Sequence, residues 1–243
     1  MEIKICQLYP DVLNLYGDQG NITCLRSRLQ WRGIEVQTLG LPVGEMADLC
    51  DFDVIFIGGG MPAPQQPLIN DLHNGRAAQL AAAVDSGVTV LAVCEGYELM
   101  GKYCITPEGG KVDCAGVVNF YTKLGHDRLT GDCLFECGEE SGGSRVVSFE
   151  NHGGRVYLGE GVSPLGRVIK GHGNNGEDGT EGARYKNFFG SYGHGPLLPK
   201  NPALADFILR TALERKYPGY VLEPLDDTLE NNAHSFMLSR LEK

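Results

Sequence analysis

The pattern of apolar positions changes character along this chain. Up to about residue 100, short unbroken apolar runs alternate with stretches at helical spacing. Ile3 to Leu8 is one such run, Asp53-Val54-Ile55-Phe56-Ile57 a second and Val88 to Val93 a third. Runs of this length predict strands buried on both faces. Between them, Ile22, Leu25 and Leu29 share one helical face, with Gly33 as the stop. Ile34 to Leu39 alternates as a strand, and the Ala-rich segment from Asp71 to Ser86 predicts a helix closed by Gly87. Tyr9 to Asn21 is rich in turn formers and predicts a loop. Strands alternating with helices predict an α/β fold, a doubly wound, mostly parallel sheet flanked by helices.

Between Tyr103 and Tyr192 the helical spacing disappears. Val117-Val118, Arg145 to Phe149, Val156 to Leu158 and Val168-Ile169 predict short strands between Gly-rich turns, a β-rich extension of the same domain. Asn201 to Lys216 returns to helix. This places one domain over 1–216 and a tail over 217–243. In the tail, Leu229, Ala233, Phe236, Met237 and Leu241 recur at helical spacing behind Asp227. That pattern predicts a capped amphipathic helix, packed on its own domain or facing a partner.

Composition narrows the classes. The chain has 243 residues, and 42% hydrophobic residues suffice for a sizeable core. No apolar run approaches the ~20 residues that span a bilayer, and Met1 to Ile5 enters a strand pattern with no signal peptide. A net charge of −10 without a basic block disfavours nucleic acid and anionic membrane as partners. The eight cysteines are scattered, which suits reduced thiols in a cytoplasmic protein. Cys104, Cys114, Cys133 and Cys137 lack the paired spacing of a zinc site, and His172 to Asp178 reads as a mobile polar loop, so no metal is expected.

The chemistry concentrates at two places. After the strand ending at Val93, Cys94 stands where a helical pattern begins, with Ala92 and Gly96 on either side. Small residues there suit a sharp strand-to-helix turn, the nucleophile elbow, with Cys in place of Ser. The helix N-terminus is expected to lower the thiol pKa; the alternative is a buried structural cysteine. The second place is His194, in Ser191-Tyr192-Gly193-His194-Gly195-Pro196, where an aromatic strand ends in a tight turn. A histidine there suits a general base for the thiol, or is simply exposed in a turn.

Taken together, Ile57-Gly58-Gly59-Gly60, Val93-Cys94-Glu95-Gly96-Tyr97 and the Ser191–Pro196 segment resemble a class I glutamine amidotransferase of the cobyric-acid-synthase-like branch. The Tyr9 to Asn21 stretch and Gly195 to Pro202 make the chain similar to the stand-alone glutaminase subunits of that branch, over nearly everything up to Lys216. The resemblance implies Cys94 as nucleophile toward the side-chain amide of L-glutamine and His194 as proton shuttle. Backbone N–H groups of Glu95 and of Gly59 or Gly60 are then the expected oxyanion donors. Arg128 is the candidate for the substrate α-carboxylate, and Glu150 and His152 are weaker candidates for its ammonium or for support of the site. Many class I members carry Glu two residues after the histidine; here that position is Pro196, which leaves open what orients His194.

No phosphate-binding Gly-x-x-x-x-Gly-Lys motif occurs, so no cofactor is expected on this chain. By resemblance, ATP and magnesium belong to a Mur-ligase-like (MurT-like) synthetase subunit in a heterodimer, which uses the ammonia to amidate lipid II in peptidoglycan synthesis. The alternatives are a glutaminase subunit of a cobyric-acid-type synthase and a non-catalytic regulatory subunit of the same fold.

Overall fold

The computed structural model describes residues 1–60 and 65–242. The first half of the chain builds β1 (Glu2–Leu8), α1 (Gln19–Gln30), β2 (Glu35–Leu41), β3 (Val54–Ile57), α2 (Gln66–Asp71), α3 (Ala77–Asp85), β4 (Thr89–Val93) and α4 (Glu95–Leu99). The second half adds the strands β5 (Tyr103–Ile105), β6 (Lys111–Asp113), β7 (Phe120–Cys137), β8 (Arg145–Leu158) and β9 (Gly166–Lys170). After them come β10 (Thr180–Glu181), β11 (Ala183–Tyr185), β12 (Phe188–Ser191), α5 (Pro202–Lys216) and α6 (Thr228–Leu241).

One sheet runs in the order β11-β12-β4-β3-β1-β2, parallel except for the antiparallel edge strand β11. The fully apolar strands take its centre: every residue of β3 and β4 is buried. The alternating strand β2 takes the edge and is mostly exposed. The chain runs outward from β1 to β2, then returns to place β3 and β4 on the other side of β1. The strand order therefore reverses between β1 and β3, and the ends of those strands open a ligand crevice.

The β-rich extension is a second, largely antiparallel sheet, β10-β9-β7-β5-β6, with β8 also paired to β7. Its spine is the β7–β8 hairpin, which includes a bulge between Leu124 and Leu129. The polar Gly125-His126-Asp127-Arg128 run falls at that bulge, so a segment that reads as loop lies inside an 18-residue strand. The segments expected at Arg145–Phe149 and Val156–Leu158 merge into one strand. Val117-Val118 is not a strand: Ala115, Gly116 and Val118 spend their N–H groups on Leu99, Gly101 and Met100 carbonyls, closing the end of α4. The expected Asp71–Ser86 helix starts earlier, at Gln66, and a π turn at Leu72–Arg76 interrupts it where Gly75 has φ +114°.

The expected mobile loop at His172–Asp178 is instead tightly bonded. The Asn175 side chain accepts from the N–H groups of Glu177 and Asp178, and buried Asn174 donates to Thr180 Oγ1 and the Gly182 carbonyl. Among the described residues no cluster of His, Cys, Asp or Glu could hold a metal, and no helix is long and apolar enough to cross a membrane.

The tail helix α6 does form, with a different cap and face from those expected. The carboxylate of Asp227 pairs bidentately with the buried Arg28, so Asp226 caps Thr228 instead. Leu241 is buried against Leu134 and Val147, with Met237 and Leu238 packed around it. Leu229 and Phe236 lie on the outer side, 80% and 67% exposed.

Candidate active site

Four loops at the carboxyl ends of β1, β3, β4 and β12 meet at one point. β4 delivers Cys94, whose backbone has φ +53° and ψ −114°. A left-handed φ at a non-glycine residue costs about 1–3 kcal/mol and is held only where the surroundings enforce it. Here the Cys94 N–H donates to the Ser191 carbonyl, and the Cys94 carbonyl accepts from Glu98. Gly96 follows because the elbow folds back onto β3: a Cβ there would lie 2.7 Å from the carbonyl oxygens of both Ile57 and Gly58.

β12 ends at Ser191 and leads to His194, whose N–H and carbonyl pair with Phe149 on β8. That bridge joins the two sheets beside the site. His194 is 1% exposed, so it is not a surface turn residue. β1 leads to Asp18, fully buried at the start of α1. Asp18 Oδ1 lies 3.4 Å from His194 Nδ1, and Oδ2 accepts from the Gly59 N–H at 2.7 Å. Pro196, where many class I enzymes carry the orienting acid, packs against Gly20 of α1.

Gly59 marks how close these groups are. A Cβ at Gly59 would sit 2.8 Å from His194 Cε1, 3.1 Å from Asp18 Oδ2 and 3.2 Å from Cys94 Cβ. The side chains of Cys94, His194 and Asp18 therefore surround the same backbone position, one that only glycine fits. The Gly59 N–H is spent on Asp18, which removes it as an oxyanion donor. The Glu95 N–H stands at the first turn of α4, close enough to favour the Cys94 thiolate.

The electrostatics depart from the expected lowered thiol pKa. Burial pushes the Cys94 thiol well above its ordinary value, and the carboxylates of Glu98 and Asp18 push it further. The Glu95 N–H opposes this without reversing it. This direction favours the protonated thiol, which a neighbouring base would activate. Glu95 and Glu98, one turn apart on α4, are themselves raised by burial, to about 8 and about 7; Glu98 also adds to the shift of Glu95.

Arg128 lies exposed at the β7 bulge, within the β-rich extension. It donates from Nε to Asn151 Oδ1 at 2.7 Å, and its charge reaches Glu98. Glu150 and His152 are buried in the wall behind the site. The Glu150 carboxylate accepts from the His172 and Gly173 N–H groups. Burial favours its neutral form, but those bonds and His152 outweigh it and hold the carboxyl below its ordinary value. The His152 Nδ1 bonds the Gly154 carbonyl, and its ring stacks on Tyr192 with centroids 3.5 Å apart. Asp18 and Glu98 escaped sequence reasoning; their only signal was an acid among turn formers and an acid one turn past the elbow.

A thiol on a strained elbow, a buried histidine and a backbone cradle at the ends of parallel strands define the class I glutamine amidotransferase fold. Solved structures agree on the fold. The glutaminase domain of Trypanosoma brucei CTPS with bound acivicin aligns with TM-score 0.60 at 14% identity, over 91% of this chain and 96% of that one. A Thermotoga maritima glutamine amidotransferase aligns with TM-score 0.56 at 14% identity, over 99% of both chains. The chain belongs to the CobB/CobQ-like glutamine amidotransferase family, whose domain model matches residues 4–202. It is 38% identical over 242 residues to subunit GatD of the glutamine-hydrolyzing lipid II isoglutaminyl synthase of Staphylococcus aureus, covering 100% of this chain and 97% of the relative. It is 35% identical to the corresponding Streptococcus pneumoniae subunit, over 89% of this chain and 82% of the relative. A cobyric acid synthase from Photorhabdus laumondii is 30% identical over 62% of this chain and 32% of its own length.

Proposed function

We propose that this chain is the glutaminase subunit of a two-subunit enzyme that amidates the D-glutamate of the lipid II stem peptide to D-isoglutamine. The observation that carries the chemistry is the convergence of Cys94, His194 and Asp18 on Gly59. The proposed pathway is supported by similarity to the two isoglutaminyl synthase subunits over all or most of the chain, against similarity to a smaller part of a cobyric acid synthase.

In this reading Asp18 accepts from His194 Nδ1–H, which leaves Nε2 as the base. Nε2 takes the Cys94 proton as sulfur attacks Cδ of glutamine. The oxygen of the tetrahedral adduct accepts from the Glu95 and Gly60 N–H groups; loss of one such donor typically costs ~2.7–4 kcal/mol. His194 then gives its proton to the nitrogen, ammonia leaves, and a γ-glutamyl thioester remains. Water, deprotonated by His194, attacks the thioester, glutamate is released and the thiol is restored. Arg128 is the proposed partner of the substrate α-carboxylate.

Activation of the acceptor carboxylate belongs to a Mur-ligase-like synthetase subunit that binds ATP and magnesium; this chain contributes ammonia. The test is glutamate release by the purified chain with and without that synthetase. Marked stimulation by the synthetase is expected, and full activity of the lone chain, indifferent to the synthetase, would overturn the coupling.

A further inference from the structure

The proposed mechanism gives no task to Glu98, a buried acid beside the nucleophile. Glu98 lies one turn into α4, 7% exposed, and its Oε1 accepts from the Tyr192 hydroxyl at 2.8 Å. Tyr192 stands two residues before His194. A single buried hydrogen bond thus connects the helix that starts at Cys94 to the turn that presents His194.

The surroundings of that bond are built to hold it. Gly154 on β8 packs directly over it, and a Cβ there would overlap both Glu98 Oε1 and the Tyr192 hydroxyl. One face of the Tyr192 ring stacks on His152 at an interplanar angle of 8°, and Tyr97 meets the ring edge-on with centroids 5.4 Å apart. On the backbone side, Glu181 Oε1 accepts from the Tyr192 N–H at 3.0 Å and the Ser191 hydroxyl at 2.8 Å. Ser191 Oγ in turn accepts from the Gly193 N–H. The turn is thereby fixed from both ends before it reaches His194.

We propose that Glu98 is a positioning residue, which through the Tyr192 hydroxyl sets where His194 stands relative to the Cys94 thiol. The inference rests on the glutaminase reading. A buried carboxylate is costly unless hydrogen-bonded, and spending one on a tyrosine hydroxyl stabilises a particular placement rather than the core. Arg128, within electrostatic reach of Glu98, supports the ionised acceptor without touching the thiol.

The test uses Glu98→Ala, Glu98→Gln and Tyr192→Phe in the full chain assembled with its synthetase, folded state checked by circular dichroism. Displacing a catalytic group by about 1 Å costs up to about 100-fold. Glu98→Ala and Tyr192→Phe should therefore lower kcat for glutamine hydrolysis by about 10- to 100-fold. KM should stay within about twofold, since only placement changes. Glu98→Gln keeps an oxygen for the hydroxyl and should recover most of the rate. The Glu98→Ala/Tyr192→Phe double variant should lose no more than either single one, because both remove one bond. A raised KM with unchanged kcat would make Glu98 a substrate contact and overturn the proposal, as would additive losses or Glu98→Gln as poor as Glu98→Ala.

A second readout does not depend on glutamine. Iodoacetamide alkylation of Cys94 at pH 8 should slow in Tyr192→Phe toward the rate of His194→Ala, because the thiol loses its placed base. An unchanged rate would overturn the positioning role. If wild-type chain hydrolysed no glutamine while alkylation followed the expected order, the glutaminase reading would fail and the positioning role would stand.

Discussion

Asp18 Oδ1 and His194 Nδ1 lie 3.4 Å apart, although 176 residues separate them in the chain. The contact sets an acid beside His194 although Pro196, two residues after the histidine, offers none and packs against Gly20. Asp18 reaches the histidine from the loop after β1, at the point where strand order reverses.

Replacing that acid tests its role. Asp18→Ala should lower kcat for glutamine hydrolysis by at least about tenfold, within the range of general acid–base contributions, with little change in KM. Asp18→Asn should also be impaired, because its amide nitrogen can turn toward His194 and favour the wrong tautomer. Steady-state kinetics on both variants checks this; wild-type kcat in folded Asp18→Ala would leave His194 without need of an orienting acid.

The Arg128→Ala variant should raise the glutamine KM by about 10- to 100-fold, the equivalent of a charge-assisted hydrogen bond of ~1.5–3 kcal/mol. The fold should be unaffected, because Arg128 is exposed and bonded only to Asn151 among the described residues. An unchanged KM would leave Arg128 a solvated residue with no part in substrate binding.

Stability should depend on pH in a direction set by three buried acids. Glu95 is pushed up to about 8, and Glu98 and Glu181 to about 7, in each case first by burial. Above about pH 5 these groups hold protons in the fold that the unfolded chain has lost, so stability falls as pH rises from about 5 to 8. His152, whose pKa burial lowers, opposes the trend below its ordinary value of 6.5. Thermal melts should show Tm declining across that window, and Glu95→Gln should flatten the upper part of the decline. A Tm that climbs steadily to pH 8 would contradict the balance of charges described here.

The core of the fold was legible because β3 and β4 are buried on both faces and carry uninterrupted apolar residues. Cys94 and His194 were legible for a related reason: small residues must flank a chain reversal, as Gly96 does against Ile57 and Gly58. The 18-residue strand β7 was not, because its Gly125–Arg128 bulge is polar and breaks the alternation. Asp18 was hidden by distance in sequence, and local pattern says nothing about which distant side chain an acid among turn residues will meet. The helix N-terminus acts locally on the thiol, as does Glu98 four residues on, whereas burial and the Asp18 charge, which with Glu98 push the pKa up, are set by the tertiary fold.

In the proposed reaction Cys94 generates ammonia from glutamine and does nothing else for the amidation. Cys94→Ala in the assembled enzyme tests it most directly, with amidated product measured once with glutamine and once with a high concentration of ammonium salt. Glutamine-dependent amidation should be abolished while ammonium-dependent amidation continues at the wild-type rate. Normal use of glutamine by the Cys94→Ala enzyme would contradict it.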